Sequence, residues 1–279
     1  MTVNYYSTEL IDALVRSLPA KADRAYHLIV VNNSPEDRKL RKLASDTVTI
    51  LESLVNLGFG KGCNLGLEWI YARDPDAIIW LINPDARLFP DCSLADLDRF
   101  FQQYPHLAIL GTAIYTEDGG EPWFLKGTFC SRTGAISTQI EGKDLETPFM
   151  FCDWVSGCSV ILNCSCFTRC PEFDAAFFLY YEDFDFCQRY RLAGHTIAVT
   201  HQFAALHAPS SISSRNLFAK FNHSTFSYLL ALERYASRTA RLWRFLRVLG
   251  VAVSLLPIKP RIAFGKMYGV VRYLLSLKT

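Results

Sequence analysis

The sequence has no long apolar run in its basic C-terminal part, no acidic residue after Glu233 and no complete zinc-binding pattern. The longest uncharged stretch there, residues 248–258, has eleven residues, which is short of the ~20 that a membrane-spanning helix needs. The first ten residues, MTVNYYSTEL, lack the basic and apolar regions of a signal peptide, so we expect a cytoplasmic protein. A net charge of only +2 predicts no nucleic-acid partner.

Nine cysteines are an odd number, and they are scattered along the chain. The tightest group is Cys164, Cys166 and Cys170, but no second CxxC motif or histidine pair completes a zinc site. The pattern therefore favours reduced thiols in a cytosolic protein over structural zinc or disulfides.

The positive charge is concentrated at the C-terminal end. Ten of the 29 basic residues and none of the 27 acidic ones lie from Arg234 onwards, so the first 233 residues carry a net charge of −8. Residues 242–257 combine basic, aromatic and apolar side chains, which suits a helix lying on an anionic membrane surface. The alternative is a helix packed on the rest of the chain with its arginines in solvent.

Apolar runs alternate with helical patterns through the first half of the chain. Runs at residues 27–31, 77–82 and 107–112 predict buried strands, and helices are expected at 10–18, 35–43, 65–71 and 93–104. This order predicts an α/β fold with a Rossmann-like, mostly parallel sheet and helices on both faces. Residues 113–150 are expected to form hairpins or a mobile loop, and residues 215–240 to form one helix.

Polar residues follow two of the predicted strands, at the sheet edge where α/β proteins bind ligands. Asn32 and Asn33 follow one strand, and Asn83-Pro84-Asp85 follows another. A carboxylate at this place, with proline fixing the backbone beside it, suits Mg²⁺ or Mn²⁺ bridging a diphosphate. The alternative role of Asp85 is to cap the next element.

Three carboxylates, Glu182, Asp183 and Asp185, lie at the start of a predicted helix. Such residues also stabilise a helix through its dipole without any catalytic role. Because they follow the apolar run 177–181, at least one is expected to face a partly desolvated cleft, where its pKa would rise towards that of a general base.

The glycine-rich turn at residues 58–62 could bind phosphate at a helix N-terminus. Its glycines do not match the GxGxxG spacing, so a dinucleotide-binding fold is disfavoured. Taken alone, His207 fits a hydrogen-bonded structural histidine.

Seven short motifs follow one another within residues 1–215: 3–7 (VNYYS), 30–34 (VVNNS), 56–64 (NLGFGKGCN), 81–85 (LINPD), 154–158 (WVSGC), 178–185 (FLYYEDFD) and 207–211 (HAPSS). Each is weak alone, but as an ordered set they closely resemble the rhamnosyltransferase-like branch of the family 2 glycosyltransferases. The resemblance implies a GT-A fold, an inverting transfer and Mg²⁺ or Mn²⁺ as cofactor.

The resemblance also implies roles for individual residues. Nucleotide-sugar contacts fall on Asn4, Tyr5, Asn32, Asn33, Asn56, Gly58, Phe59, Asn83, Trp154 and Gly157. Asp85 becomes the main metal ligand and His207 a further one. Asp183 becomes the general base, with Glu182 as the second choice. The family usually has Asp where this chain has Asn32, so we expect altered or weaker nucleoside binding. Its first strand is also usually longer, which leaves open whether the strand is short here or the given start is wrong.

These features together predict a catalytic domain at residues 1–215 and a helical, membrane-associating extension at 216–279. The expected enzyme transfers a sugar, with rhamnose as one candidate, from a dTDP- or UDP-linked donor to a saccharide or lipid-linked acceptor for a cell-surface polysaccharide. It would act at the cytoplasmic face of the inner membrane. Two alternatives are a non-catalytic scaffold that binds nucleotide-sugar at the membrane, and a nucleotidyltransferase. The donor sugar, the acceptor and the linkage are not encoded in any motif.

Overall fold

A computed structural model describes residues 1–18, 24–89, 91–118, 120, 122–140, 147–208 and 215–277. Its helices are α1 (Thr8–Ser17), α2 (Phe59–Tyr71), α3 (Leu94–Gln103), α4 (Glu182–Leu192), α5 (Leu217–Tyr235), α6 (Arg238–Ser254) and α7 (Pro260–Ser276). Short 3₁₀ helices cover Arg38–Leu43 and Cys164–Cys166.

The strands are β1 (Thr2–Asn4), β2 (Leu28–Asn32), β3 (Val48–Glu52), β4 (Ile78–Ile82), β5 (Ala86–Leu88), β6 (Leu107–Thr116), β7 (Pro122–Phe124), β8 (Lys126–Cys130), β9 (Ala135–Gln139), β10 (Met150–Phe151), β11 (Ser159–Asn163) and β12 (Thr196–His207). Strands β1, β2 and β3 form a parallel sheet in that order. A larger sheet has the order β10-β12-β6-β11-β4. Strand β5 also pairs with β12, and β7 pairs with β6.

The two sheets meet at the start of the chain. The amine of Met1 donates to the carbonyl of Trp80, and the N–H of Ile82 donates to the carbonyl of Met1 at 3.0 Å. These two bonds place β1 beside β4, so the carboxyl ends of β1, β2 and β4 lie at one edge. The predicted parallel arrangement is confirmed for β1, β2 and β3 and for β6 with β12. Strand β11 runs antiparallel between β4 and β6, and the short strands β5, β7 and β10 also pair antiparallel.

Helices cover both faces of the sheet because the central strands are apolar on both sides. On one face, Cys63 and Leu67 of α2 and Phe186 of α4 pack against β4 and β6. On the other face, Phe100 and Phe101 of α3 pack against β6, β11 and β12. The predicted α/β fold with helices on both faces is therefore confirmed.

Two predicted helices differ from the structure. Residues 35–43 form only the 3₁₀ helix Arg38–Leu43, because the side chain of Asp37 is held by Asn4 and Thr8 and keeps the preceding turn from continuing as an α-helix. Residues 215–240 form α5 and the start of α6, since Ala236 is extended and the Ser237 side chain caps α6 by accepting from Ala240 N–H.

Of the two alternatives expected for residues 113–150, hairpins or a mobile loop, the described residues show hairpins. Strand β6 continues to Thr116, β7 pairs with it, and β8 and β9 form an antiparallel hairpin. Residues 119, 121 and 141–146 of that segment lie outside the described residues, as do residues 209–211 at the end of the HAPSS motif.

The C-terminal region is helical. Helix α7 packs very closely on α5, since a Cβ added at Gly265 would lie 2.7 Å from the Phe218 carbonyl oxygen and one at Gly269 would lie 2.6 Å from that of Asn222. Helix α5 in turn packs on α4, where Ala231 is buried with Phe177 and Phe184. In the described ranges, each helix is too short or too polar to cross a membrane.

Candidate active site

A cavity of about 770 Å³ lies at the carboxyl ends of β1, β2 and β4, between the N-termini of α2, α4 and α5. Eleven of the predicted site residues line it: Tyr5, Asn33, Asn56, Gly58, Phe59, Asn83, Asp85, Gly157, Glu182, Asp183 and His207. The two carboxylates at positions 85 and 183, which lie far apart in the chain, thus share one cavity.

Asn4 and Asn32 do not belong to this lining and lie behind it, where they are 0% and 1% exposed. The amide of Asn4 donates to Asn32 Oδ1 at 3.0 Å and to Ser34 Oγ at 3.1 Å. Asn32 donates to Glu52 Oε2 at 2.8 Å. Both asparagines therefore support the turn after β2, while their direct contact with a nucleotide stays a prediction.

Trp154 also lies behind the cavity wall. Its indole ring packs against Phe124 and Phe184 and lies so close to Gly127 that a Cβ there would be 2.3 Å from the ring. This packing positions the segment between β10 and β11 that leads to Gly157.

The turn before α2 is built around Asn33. Its side chain accepts from Leu57 N–H at 2.8 Å and donates to the Gly58 carbonyl at 2.9 Å. Gly58 has a φ of +82°, and a Cβ there would lie 2.3 Å from the Phe178 carbonyl oxygen. Only glycine fits this position, which brings the N-terminus of α2 into the cavity wall.

Asp183 is held in place by the backbone. Its Oδ2 accepts from Gly157 N–H at 2.9 Å, and its Oδ1 accepts from Phe184 N–H at 2.8 Å. Gly157 and Asp183 lie very close together, since a Cβ at Gly157 would be only 3.3 Å from Asp183 Cβ. Each carboxylate oxygen keeps a lone pair with which it can accept a further proton.

The two neighbouring carboxyls have different electrostatic surroundings. Burial raises the pKa of Glu182 well above its ordinary value, and the charge of Asp183 raises it further. Burial also raises the pKa of Asp183, but the N–H groups of Gly157 and Phe184 oppose that rise by stabilising the carboxylate. Because two like charges this close disfavour each other, this arrangement favours a protonated Glu182 beside an ionised Asp183.

Backbone strain is concentrated at the cavity. In the described part of the chain, Tyr6, Tyr180 and Tyr181 are the non-glycine residues with positive φ, at +49°, +70° and +61°. All three line the cavity, and Tyr180 and Tyr181 directly precede Glu182. Such conformations cost free energy and are typical of functional sites.

The opposite wall carries a pair of potential metal ligands. Asp85 Oδ1 lies 3.3 Å from His207 Nε2, and both side chains are 6% exposed. Asn83 Oδ1, on the same turn, is buried without a hydrogen-bond partner among the described residues. His207 also packs edge-on against Trp123, with ring centroids 4.6 Å apart.

This donor set fits a divalent cation that also binds its substrate. Within the described ranges, no group of three His, Cys, Asp or Glu residues could hold a metal ion by itself. Mg²⁺ is commonly bound by one or two carboxylates together with substrate phosphates. Asp85 and His207, with the Asn83 amide oxygen nearby, fit that kind of incomplete protein site.

Several lining residues were not predicted. They include Trp123 from β7 and the α5 segment residues Arg215, Asn216, Ala219, Lys220 and His223. The His223 ring stacks on Phe178, with centroids 4.7 Å apart. The basic character of the C-terminal region was visible in the sequence, but nothing in the pattern placed the beginning of α5 at this cavity.

The chain is similar in sequence to several known proteins. The family model described as Glycosyl transferase family 2 matches residues 2–163. The rhamnosyltransferase WbbL of Escherichia coli (strain K12) is 36% identical over 245 residues, which cover 81% of this chain and 90% of the relative. The N-acetylglucosaminyl-diphospho-decaprenol L-rhamnosyltransferase of Mycobacterium tuberculosis is 24% identical over 259 residues, covering 85% of this chain and 84% of the relative.

Among solved structures, GalNAc-T7 with UDP, GalNAc and Mn²⁺ is similar with a TM-score of 0.61 and 12% sequence identity. The similarity covers 96% of this chain, whereas this chain spans 53% of the GalNAc-T7 chain. At 12% identity, this similarity shows a shared fold alone.

Proposed function

The chain belongs to glycosyltransferase family 2, and on that premise we propose that it is an inverting enzyme that uses Mg²⁺ or Mn²⁺ to transfer a sugar from a nucleotide donor to a saccharide on a lipid diphosphate. Rhamnose on dTDP is the first candidate donor, since two relatives are named rhamnosyltransferases, and a UDP-sugar is the second. The acceptor class follows the diphospho-decaprenol in the name of one relative. The product would serve a cell-surface polysaccharide.

The observation that carries this proposal is that Asp183 shares one cavity with the Asp85–His207 pair. A direct displacement needs a base for the acceptor hydroxyl and a cation for the leaving diphosphate. Asp183 fits the base because its carboxylate is oriented by two backbone N–H groups. Asp85 and His207 fit the cation site, where a bound Mg²⁺ or Mn²⁺ would offset the negative charge that develops on the diphosphate.

In the proposed reaction the acceptor oxygen attacks the anomeric carbon on the face opposite the nucleoside diphosphate. Asp183 takes the hydroxyl proton, the new carbon–oxygen bond forms, and the bond to the diphosphate breaks. A single displacement inverts the configuration at that carbon. Neutral Glu182 would leave Asp183 as the one carboxylate beside the acceptor and would avoid a second negative charge there.

We also propose that α6 and α7 rest on the cytoplasmic surface of the membrane. Large apolar side chains are exposed on both helices: Leu242, Trp243, Leu246, Val253, Phe264, Tyr268, Val271, Leu274 and Leu275. Arg247, Lys259 and Arg261 are exposed beside them. Exposed apolar surface flanked by cations suits anionic lipid, and it would bring the cavity near a lipid-linked acceptor.

The proposed division is a catalytic part at residues 1–215 and an extension at 216–279. Because α5 lines the cavity and α7 packs on α5, the extension would complete the site and would also bind the enzyme to the membrane surface. Family membership disfavours the nucleotidyltransferase alternative. A buried Glu182 beside Asp183, directly after the strained residues Tyr180 and Tyr181, disfavours a non-catalytic scaffold, which would have no need of this arrangement.

The test uses purified full-length protein, a panel of dTDP- and UDP-sugars with Mg²⁺ or Mn²⁺, and a saccharide on a polyprenyl diphosphate. Asp183→Asn should lower nucleoside diphosphate release by roughly 10²–10⁴-fold, as expected for loss of a general base, while donor affinity is retained. Asp85→Ala should weaken donor affinity. Unchanged turnover and unchanged donor affinity in both variants would show that these roles are wrong.

A further inference from the structure

Acidic and basic side chains both line the cavity. Asp85, Glu182 and Asp183 line it, and among the described lining residues Arg215 and Lys220 are the two side chains with a permanent positive charge. Substrates that carry diphosphate groups need cations in such a cavity, because phosphates are otherwise repelled by the carboxylates. In the proposed function Asp85 is a metal ligand and Asp183 the base, and Arg215 and Lys220 are the cationic side chains that remain to be explained.

Arg215 is held at the cavity rim by the strained turn after β1. Its Nη1 donates to the carbonyl of Tyr6 at 2.9 Å, and Tyr6 has a φ of +49°. A guanidinium has five N–H donors, so this contact orients the group and its other donors suit an oxyanion. Lys220 lies on the first turns of α5, on the same side of the cavity.

The position of the two cations is unfavourable for the helix itself. The N-terminus of α5 is the positive end of a 19-residue helix, and its first turn contains no acidic residue. Cations at this end are repelled by the helix dipole, whereas an anion is attracted by it. An arrangement that costs stability in the absence of an anion is expected at a ligand site.

The neighbouring walls also point to a polar ligand. Glu182 is 6% exposed, and its Oε2 is buried without a hydrogen-bond partner among the described residues. Asn83 Oδ1 is likewise buried without a hydrogen-bond partner among the described residues. Both residues line the same cavity as Arg215 and Lys220. Because buried polar groups in proteins are nearly always paired, these atoms suit partners that a ligand supplies.

We propose that Arg215 and Lys220 form a diphosphate-binding subsite that the C-terminal segment contributes to the cavity. The ligand class is a diphosphate ester. This inference rests on the proposed function, in which the nucleotide donor and the lipid-linked acceptor both carry a diphosphate, and the same two side chains suit either one.

The first experiment measures binding of inorganic pyrophosphate by calorimetry, in the presence of a chelator so that the metal site does not contribute. Arg215→Gln/Lys220→Gln should weaken pyrophosphate binding by at least about tenfold, the expected loss for two exposed charge-assisted hydrogen bonds. Arg215→Lys should retain most of the affinity, because it keeps the charge. The matched control Arg38→Gln/Lys39→Gln removes two exposed charges that do not line the cavity and should bind as wild type does.

Equal affinity in wild type and the double variant would overturn the subsite, and so would an equal loss in the control or no binding by wild type. The result does not depend on turnover. If pyrophosphate binds through Arg215 and Lys220 while no donor is ever turned over, the subsite stands and the proposed function fails.

The second experiment identifies which diphosphate is held. A rise in the KM for the nucleotide-sugar of the double variant, at unchanged acceptor KM, would assign the subsite to the donor. A rise in the KM for a polyprenyl-diphosphate saccharide, absent for the same saccharide without its diphosphate, would assign it to the acceptor. Unchanged KM values for both substrates would overturn the proposal.

Discussion

Asp185 on α4 and Arg234 on α5 form an ion pair in which the carboxylate is buried, with 2.8 Å between Asp185 Oδ1 and Arg234 Nη1. The carboxylate of Asp185 is 0% exposed and also accepts from Tyr235 OH at 2.7 Å and from Arg189 Nε at 2.7 Å. Glu182 and Asp183 lie on the first turn of the same helix. The helix that carries the proposed base is therefore tied to α5 by a charged network.

Removing Arg234 should destabilise the protein and disturb this helix. Arg234→Met would leave Asp185 buried with only Arg189 and Tyr235 as partners, and because Arg234 is itself partly exposed, we expect a loss of roughly 1–3 kcal/mol, the range for a hydrogen bond to a charged group. Urea unfolding monitored by circular dichroism measures the change. The destabilising group in Arg234→Met is the Asp185 carboxylate, so Asp185→Asn in the Arg234→Met background should recover part of the lost stability. A purely additive double variant would contradict this explanation.

Glu182→Gln should stabilise the protein, and more so as pH rises. Burial and the Asp183 charge raise the folded-state pKa of Glu182 above its ordinary value of 4.5. Below that value the group is protonated in both folded and unfolded states and has no effect. As pH rises towards the folded-state pKa, ionisation favours the unfolded state, so wild type loses stability that the glutamine variant keeps.

The measurement for this prediction is the free energy of unfolding of wild type and Glu182→Gln between pH 4 and pH 8. The titratable neighbours are Asp183 and Cys63, and Cys63 is itself buried with a raised pKa. The exposed Glu68 on α2 provides the control, since Glu68→Gln should show no pH-dependent gain. A constant difference across the pH range would contradict the expected linkage.

The resemblance to the family predicts aspartate at position 32, and the partner of Asn32 explains why asparagine is suitable here. Its amide donates to Glu52 Oε2 at 2.8 Å, a contact in which an aspartate would place two carboxylates against each other. Asn32→Asp should cost roughly 1–3 kcal/mol of unfolding free energy, the range for loss of a hydrogen bond to a charged group. The double variant Asn32→Asp/Glu52→Gln should regain most of it, and no recovery would show that Glu52 is not the cause.

Much of the fold could be predicted because short hydrophobic patterns in the sequence determine its strands and helices. The apolar runs at β2 and β4 predicted buried strands, and the polar residues after them predicted the edge at which Asn33 and Asp85 lie. The antiparallel β11 was missed because an apolar run carries no information on strand direction. The contribution of α5 was missed for a similar reason, since Arg215 meets Tyr6 across 209 positions of sequence and helical periodicity does not identify such a partner.

The membrane proposal is better tested with substitutions than with a truncation. Truncation after Tyr235 would remove α7, whose Gly265 and Gly269 pack against α5, and would therefore uncover the helix that lines the cavity. Substitutions on the exposed face of α6 avoid this. Leu242 and Trp243 are 62% and 66% exposed, so Leu242→Ser/Trp243→Ser should leave the fold intact while it removes apolar surface from the docking face.

This double variant should bind liposomes containing anionic lipid at least about tenfold more weakly, because burial of apolar area contributes roughly 25 cal/mol per Å². Co-sedimentation at low and high salt gives the measurement, and high salt should weaken wild-type binding further by screening the basic residues. Leu54→Ser/Val55→Ser, which removes two exposed apolar side chains after β3, is the matched control and should sediment as wild type does. If both double variants bind equally well, α6 does not face the membrane, and the acceptor must reach the cavity by another route.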